Sequence, residues 1–203
     1  MELDPATLAH TDAYKLLIGS VLPRPIAWVS TVDKKGVPNL APFSFFMAVC
    51  SNPFTVAFAP TVKPDGTAKD TLRNIRETQE FVVNLVSEPF AAAMNMTSKD
   101  FPPGVNEFRE AKVTEIPSVK VRPPRVKESP IQMECKLHSI VDVGSGPGSG
   151  SLILGTVVLF SCRDDLMHEG KIDLKKLQLI GRLSGAYYVR TNNDIFEIAR
   201  PQK

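Results

Sequence analysis

Three sets of polar residues interrupt otherwise apolar, strand-like segments of this 203-residue chain. They are Ser30 and Thr31 in IAWVSTV, Asn39 and Ser44 in NLAPFSFF, and Lys69, Asp70 and Thr71 at the start of KDTLRNIRETQ. The last segment has no Gly or Pro, so it predicts a helix over 69–79 with Thr67 or Asp70 available as N-cap. A helix N-terminus carries unpaired N–H groups and the positive end of the helix dipole, which suits Lys69 and Thr71 to holding a phosphate. Lys, Asp and Thr also open helices simply to cap and solvate them, so the pattern alone leaves both readings open.

Other chemistries find less support. His10, His138 and His168 lie far apart and outside any HxxxH or HExxH spacing, which argues against a metal site. His138 falls inside a strand pattern, where an ordinary partly buried imidazole is the simpler reading than a catalytic one. Cys50, Cys135 and Cys162 are odd in number and lack CxxC spacing, which speaks against a disulfide framework and for reduced, cytoplasmic thiols. No GxSxG elbow is present, and the apolar surroundings of the cysteines favour inert thiols over nucleophiles. The glycine tract at 144–150 lacks dinucleotide-loop spacing and is followed by a strand pattern, so it reads as a flexible hairpin tip.

The elements that would position the polar residues are mostly strands. Ile26–Val32 and LAPFSFFMAVC flank the turn sequence DKKGVPN and predict a hairpin. Phe54–Ala59 reads as a third strand buried on both faces, and the three together suggest an antiparallel meander. Leu72 and Ile75 give the predicted helix a narrow apolar stripe, so it must dock on the sheet. Phe81–Val86 predicts a strand, and SEPFAAAMNMTS a second short helix with Ser87 as cap. Residues 101–130 hold six prolines with interspersed Val105, Phe108, Val113, Ile116 and Val119, which predicts an extended stretch packed on the body. Ile131–Val143 and Leu152–Arg163 predict a long hairpin, 171–180 is ambiguous with Leu174, Leu177 and Ile180 in helical register, and 186–191 reads as a last strand. About seven strands at hairpin spacing with two inserted helices imply a mainly β, antiparallel barrel in a single domain spanning 1–203.

Composition bounds the partners. Lys and Arg exceed Asp and Glu by only two, at 24 against 22, so electrostatic steering toward polyanions is weak. The basic residues Lys112, Lys120, Arg122, Arg125 and Lys127 lie in a stretch with no aromatic, which disfavours a barrel that stacks single-stranded nucleic acid. No apolar run approaches the ~18 residues of a membrane helix, and the N-terminus lacks the pattern of a secretory signal.

Several of these segments also occur together elsewhere. RPIAWVSTVDKKGVPNLAPFSFF, KDTLRNIRETQEFVVNLV and GRLSGAYY, with MNMTSKDFPPGVNEF and VKESPIQMECKL between them, resemble the flavin reductase-like, FMN-binding split-barrel family along nearly the whole chain. The resemblance implies a six-stranded split barrel, antiparallel and Greek-key-like, with added helices. It also implies a homodimer and one non-covalent FMN per subunit. It places the flavin ring against Ser30, Thr31 and the run Asn39, Leu40, Ala41, Pro42, Phe43 and Ser44, with backbone amides serving N5, O4 and N3. The phosphate is expected near Lys69, Asp70 and Thr71, with Ser44 as a further candidate. A carboxylate beside a phosphate is repulsive, so Asp70 is assigned to helix capping. Arg24 and Arg182 are candidates for flavin or phosphate contacts or, equally, for structural ion pairs. Where the family often has a second glycine this chain has Ser184, which puts a backbone contact there in doubt.

Transfer of a hydride from a nicotinamide to flavin N5 needs stacked rings and an exposed flavin face and no side-chain acid or base, so no catalytic residue is expected. The resemblance thus implies an NAD(P)H-dependent flavin reductase passing electrons to flavin, oxygen, ferric complexes or a partner oxygenase. The alternative is a non-enzymatic, flavoredoxin-like FMN electron carrier.

Overall fold

The computed structural model describes residues 1–102 and 104–201. In chain order it comprises α1 (His10–Ser20), β1 (Ala27–Val32), β2 (Pro38–Phe43), β3 (Phe46–Ser51), β4 (Phe54–Phe58), α2 (Asp70–Thr78), β5 (Glu80–Leu85), α3 (Ala91–Met96) and α4 (Glu107–Glu110). Next come β6 (Glu115–Ile116), β7 (Arg125–Val126), β8 (Ile131–Val143), β9 (Gly150–Cys162), β10 (Met167–His168), β11 (Lys171–Ile172), β12 (Ile180–Arg182) and β13 (Tyr188–Arg190).

Seven antiparallel strands form the main sheet in the order β2-β1-β5-β8-β9-β4-β3, one more than the resemblance implied. Its two edge strands are consecutive in sequence, with only Ser44 and Phe45 between Phe43 and Phe46. Three Cα–Cα steps span at most about 11 Å, so the sheet must curl until its edges adjoin at that corner. Among the described residues no ladder joins β2 to β3, and the result is an antiparallel barrel open along one seam. The early strands are therefore not a meander: the run from Leu40 to Cys50, with nothing but Ser44 and Phe45 at its centre, breaks there and crosses to the opposite edge.

Local chemistry accounts for the elements. The β1–β2 turn is organised by Asp33, whose Oδ1 accepts from the N–H groups of Lys35 and Val37, both at 2.8 Å. Gly36 then takes φ +84°, a conformation that a side chain opposes. β1 lies between two apolar clusters. Ala27 and Val29 face one, with Phe58, Ile75, Phe81 and Ile153, while Ile26 and Trp28 face the other, with Met94, Phe108 and Val126. The helix read over 69–79 is α2, docked by Leu72 and Ile75 as its narrow stripe requires. The second predicted helix is a single 3₁₀ turn at Glu88–Phe90 followed by α3, with no cap from Ser87. α1 had no counterpart among the sequence expectations, and none of its residues is buried.

The proline-rich stretch packs on the body as expected, with Phe108, Val113 and Val126 buried. Residues 171–180, ambiguous in the sequence, form β11, a single turn and the first residue of β12, with Leu177 donating its N–H to the Asp173 carbonyl at 3.0 Å. His138 is exposed on β8 and not partly buried. The three cysteines are free thiols, and burial pushes Cys135 far above the usual thiol range. Among the described residues no helix is long and apolar enough to cross a membrane.

The closest packing inside the barrel lies where β9 passes under Phe81. A Cβ built on Gly155 would collide with the Phe81 ring, 2.8 Å from its Cε1, and stand 3.2 Å from the Cys135 Cβ. Phe81 cannot swing away, because its ring is held edge-on by Phe58 with centroids 5.5 Å apart. Gly155→Ala is therefore expected to lower stability by about 1–3 kcal/mol. Urea denaturation measures this, and adding Phe81→Leu should make the double variant lose less than the sum of the singles.

Candidate functional site

The polar residues singled out in the apolar strands serve first to dock α2. The Asn74 amide donates to Thr31 Oγ1 at 3.0 Å, and the Asn39 amide donates to Thr71 Oγ1 at 3.1 Å. Thr31 is fully buried, as is Ser30, whose hydroxyl donates to the Pro124 carbonyl. β1 is covered on both faces, and neither Ser30 nor Thr31 is in the lining of the clefts described below.

The anchoring leaves α2 with its N-terminus open. Lys69 is the N-cap residue, and no side chain among the described residues caps it, so neither Thr67 nor Asp70 takes that role. The opening amides at Asp70 and Thr71 have no intrahelical acceptor. Asp70 instead pairs with Arg73 at 2.5 Å, one turn along. In front of these amides Lys63 and Lys69 converge on one oxygen of Asp100, at 3.5 and 3.0 Å. The two lysine side chains are 18% and 32% exposed, whereas Asp100 is 61% exposed. The hydrogen bond from Lys69 and the charge of both lysines hold the Asp100 carboxyl below its usual range. The segment carrying Asp100 is fixed at Thr97, which accepts the Trp28 indole N–H at 2.8 Å.

Asn39, Ala41, Pro42 and Phe43 of β2 line the cleft beside these groups, and Ser98 and Glu107 complete it. Glu107 is buried, and its Oε2 accepts the Leu40 N–H at 3.0 Å. Burial, with the nearby charge of Asp70, raises its carboxyl above the ordinary range. Leu40 itself is fully buried and contributes backbone only. Its N–H points away from β1, so the alternation of the ladder puts Pro38 and Pro42 on the same outward side, where neither has an N–H to give. The outer edge of β2 thus offers carbonyl acceptors. The backbone amides implied for residues 39–43 are consumed by β1 or by Glu107, and Ser44 lies one residue past the end of the pairing.

Two further clefts adjoin this one, and all three share Pro42. The middle one runs over Phe43, Ser44, Phe45 and Tyr14 and shares Lys69 with the first. The far one lies between α1, α3 and the β12–β13 hairpin, with Arg24, Ser44, Arg182 and Tyr188 in its lining. The result is a groove along β2 with lysines at one end and arginines at the other. Of the residues expected at a site, the fold brings Arg24, Asn39, Ala41, Pro42, Phe43, Ser44, Lys69, Asp70, Thr71 and Arg182 to this groove. It adds Lys63, Ser98, Asp100, Glu107, Tyr14 and Tyr188, none of which sequence reasoning selected.

The donor set fits a planar ring bearing a phosphate. Two half-buried lysines, uncapped helix amides and the Thr71 and Ser98 hydroxyls suit a dianion, and Ala41, Pro42 and Phe43 supply an apolar wall.

Residues 18–176 match the model of the flavin reductase like domain. An uncharacterized protein of Halalkalibacterium halodurans is 41% identical over 99% of this chain and 97% of its own length. The crystal structure of nitrilotriacetate monooxygenase component B from Bacillus cereus is 38% identical, covers 98% of both chains and superposes with a TM-score of 0.92. The 2-nitrobenzoate 2-nitroreductase NbaA of Pseudomonas fluorescens is 32% identical, with 99% of this chain and 96% of that one covered and a TM-score of 0.88.

Proposed function

The chain belongs to the flavin reductase-like family, and from that premise we propose that it is an FMN-holding oxidoreductase, drawing electrons from NAD(P)H and passing them to a partner oxygenase or a small acceptor such as flavin, oxygen or a ferric complex. The observation that carries this reading is the β2 groove ending at Lys63, Lys69 and the uncapped start of α2. Bound there, FMN supplies the electron-accepting chemistry. The chain's own part is binding and orientation. Lys63 and Lys69 take the phosphate in exchange for Asp100, with the Asp70 and Thr71 amides behind them. Ala41, Pro42 and Phe43 support the ring, and the outward carbonyls of β2 accept from its N–H. Among the described residues lining the groove, the buried carboxyl is Glu107, and it is engaged with Leu40, so no proton-transfer role is assigned.

A relative named as a monooxygenase component supports delivery to a partner oxygenase, and one named as a nitroreductase supports direct reduction of a small acceptor. We further assign a homodimer in a reducing, cytoplasmic setting. β3 exposes Met47 and Val49, and α1 leaves Tyr14, Leu16 and Leu17 each 49% exposed, apolar surface that a second copy would cover. Light scattering after gel filtration should give twice the chain mass.

The test of the central reading is the visible spectrum of the purified protein, followed by anaerobic NADH and then NADPH. Bands at roughly 375 and 450 nm that bleach with either nucleotide support the reductase, since those bands belong to the cofactor. Bands that yield only to dithionite shift the reading to an electron carrier. A colourless protein that also fails to take up FMN overturns both.

A further inference from the structure

The two ends of the groove differ in their charge balance. At the lysine end Lys63 and Lys69 share the Asp100 carboxylate, and Asp70 and Glu107 stand in the same walls. At the other end the described lining holds Arg24 and Arg182 and no carboxylate, and neither arginine forms an ion pair among the described residues.

The two guanidinium groups are held differently. Arg24, 5% exposed, is a clasp: it donates to the carbonyls of Ile18 at 2.7 Å, Val21 at 3.1 Å and Leu183 at 2.9 Å, and to Ser44 Oγ at 3.4 Å. Burial and the charge of Arg182 both work against its ionised form. Arg182 donates to the Tyr188 hydroxyl and the Gly185 carbonyl, and its guanidinium lies 4.5 Å from the centroid of the Tyr188 ring. An arginine has five N–H donors, so Arg182 keeps three for a ligand, on a plane fixed by Tyr188. Ile26 and Met94, both buried, supply apolar surface beside it.

Two like charges without a counterion, one buried and one half-withdrawn from water, are costly, and an anion in the cleft relieves both. We infer that the Arg182–Arg24 end of the groove is a subsite for an anionic group, carboxylate or phosphate, carried on the planar second reactant that meets the flavin. The inference rests on the FMN reading above, which places the flavin's own phosphate at the lysine end. A fork of free N–H groups matches either oxyanion, and the flat apolar surroundings select a ring to carry it.

Calorimetric titration of the FMN-loaded protein tests the subsite with three probes: benzoate, nicotinamide mononucleotide and the uncharged benzamide. At least one anion is expected to bind, and Arg182→Gln should weaken it about 10- to 100-fold, the effect of a charge-assisted hydrogen bond. Arg182→Lys, which keeps the charge and loses the fork, should fall between. Benzamide affinity should not change in either variant. A response to benzoate alone identifies a ring carboxylate as the natural group, and one to the mononucleotide alone identifies a phosphate. The subsite is overturned if neither anion binds, if Arg182→Gln leaves their affinities unchanged, or if benzamide weakens equally. A separate titration of FMN into flavin-free protein keeps the two readings apart. Loss of FMN affinity in Arg182→Gln moves the flavin phosphate to this end and overturns the subsite. If wild-type protein takes up no FMN, the flavin reading fails by itself, and the same anion titrations on flavin-free protein still decide the subsite.

Discussion

Replacing Glu134 with alanine is expected to lower the unfolding free energy by about 3–5 kcal/mol, the cost of breaking a buried ion pair from one side. Glu134 is fully buried on β8, and its two oxygens accept the N–H groups of Val119, at 2.9 and 3.1 Å, and of Lys120, at 2.6 Å. Arg125 lies 3.5 Å away and spends its remaining donors on the Pro117 carbonyl and Ser161. The carboxylate thus pins residues 117–125, a stretch rich in prolines that has little ladder of its own. That stretch in turn supplies the Pro124 carbonyl to Ser30 and, through Val126, an N–H to Asn84 at 2.9 Å. Alanine leaves the Val119 and Lys120 N–H groups without their acceptor and Arg125 without its acid. In a chain of this size the loss corresponds to a fall in Tm of roughly 6–20 °C. Glu134→Gln keeps the shape and one acceptor and should lose less. Thermal melts of both variants decide the matter, and a drop for alanine under about 1 kcal/mol would show that the stretch is held by its apolar contacts alone.

The role of Glu134 also marks where the sequence stops being readable. β-Branched and aromatic runs announced β1, β4, β5 and the β8–β9 hairpin, since strand propensity and turn chemistry act over a few residues and leave local traces. The corner at Ser44–Phe45 left none. No Gly or Pro sits there, and what breaks the strand is the closure of the barrel, a property of the whole sheet. α1 escaped for the opposite reason: it buries nothing, so its apolar residues follow no core-facing pattern. At the site, Lys69 and Thr71 were legible because a helix start has a recognisable grammar. Lys63, Asp100 and Glu107 reach the same cleft from a turn, from the segment after α3 and from the proline-rich stretch, and only tertiary structure brings them together. Ser30 and Thr31 show what such a signal reports. A polar residue in an apolar strand signals that something polar meets it there, and the partners within this chain are Pro124 and Asn74.

Removing both lysines, as Lys63→Gln/Lys69→Gln, is expected to weaken FMN binding by a factor of about 100 or more while leaving riboflavin binding nearly unchanged. Each ammonium contributes a charge-assisted bond to the phosphate, about 1.5–3 kcal/mol and so at least tenfold in affinity. The two act on the same point, now marked by the Asp100 oxygen 3.5 and 3.0 Å from them. Riboflavin carries the same ring without the phosphate, so the ratio of the two affinities isolates the charge from any general damage to the groove. Asp100→Asn should act in the opposite direction. The carboxylate is the anion that the phosphate must displace, and since it is an exposed partner its removal should tighten FMN by only about two- to fivefold. Both effects should shrink as salt is raised, because the contacts lie near the surface. Quenching of flavin fluorescence measures all of these affinities in one format. An FMN to riboflavin ratio that survives the double substitution would remove the phosphate from this end of the groove. An Asp100→Asn variant that binds FMN more weakly would make Asp100 a residue that positions the lysines and not one that competes for them.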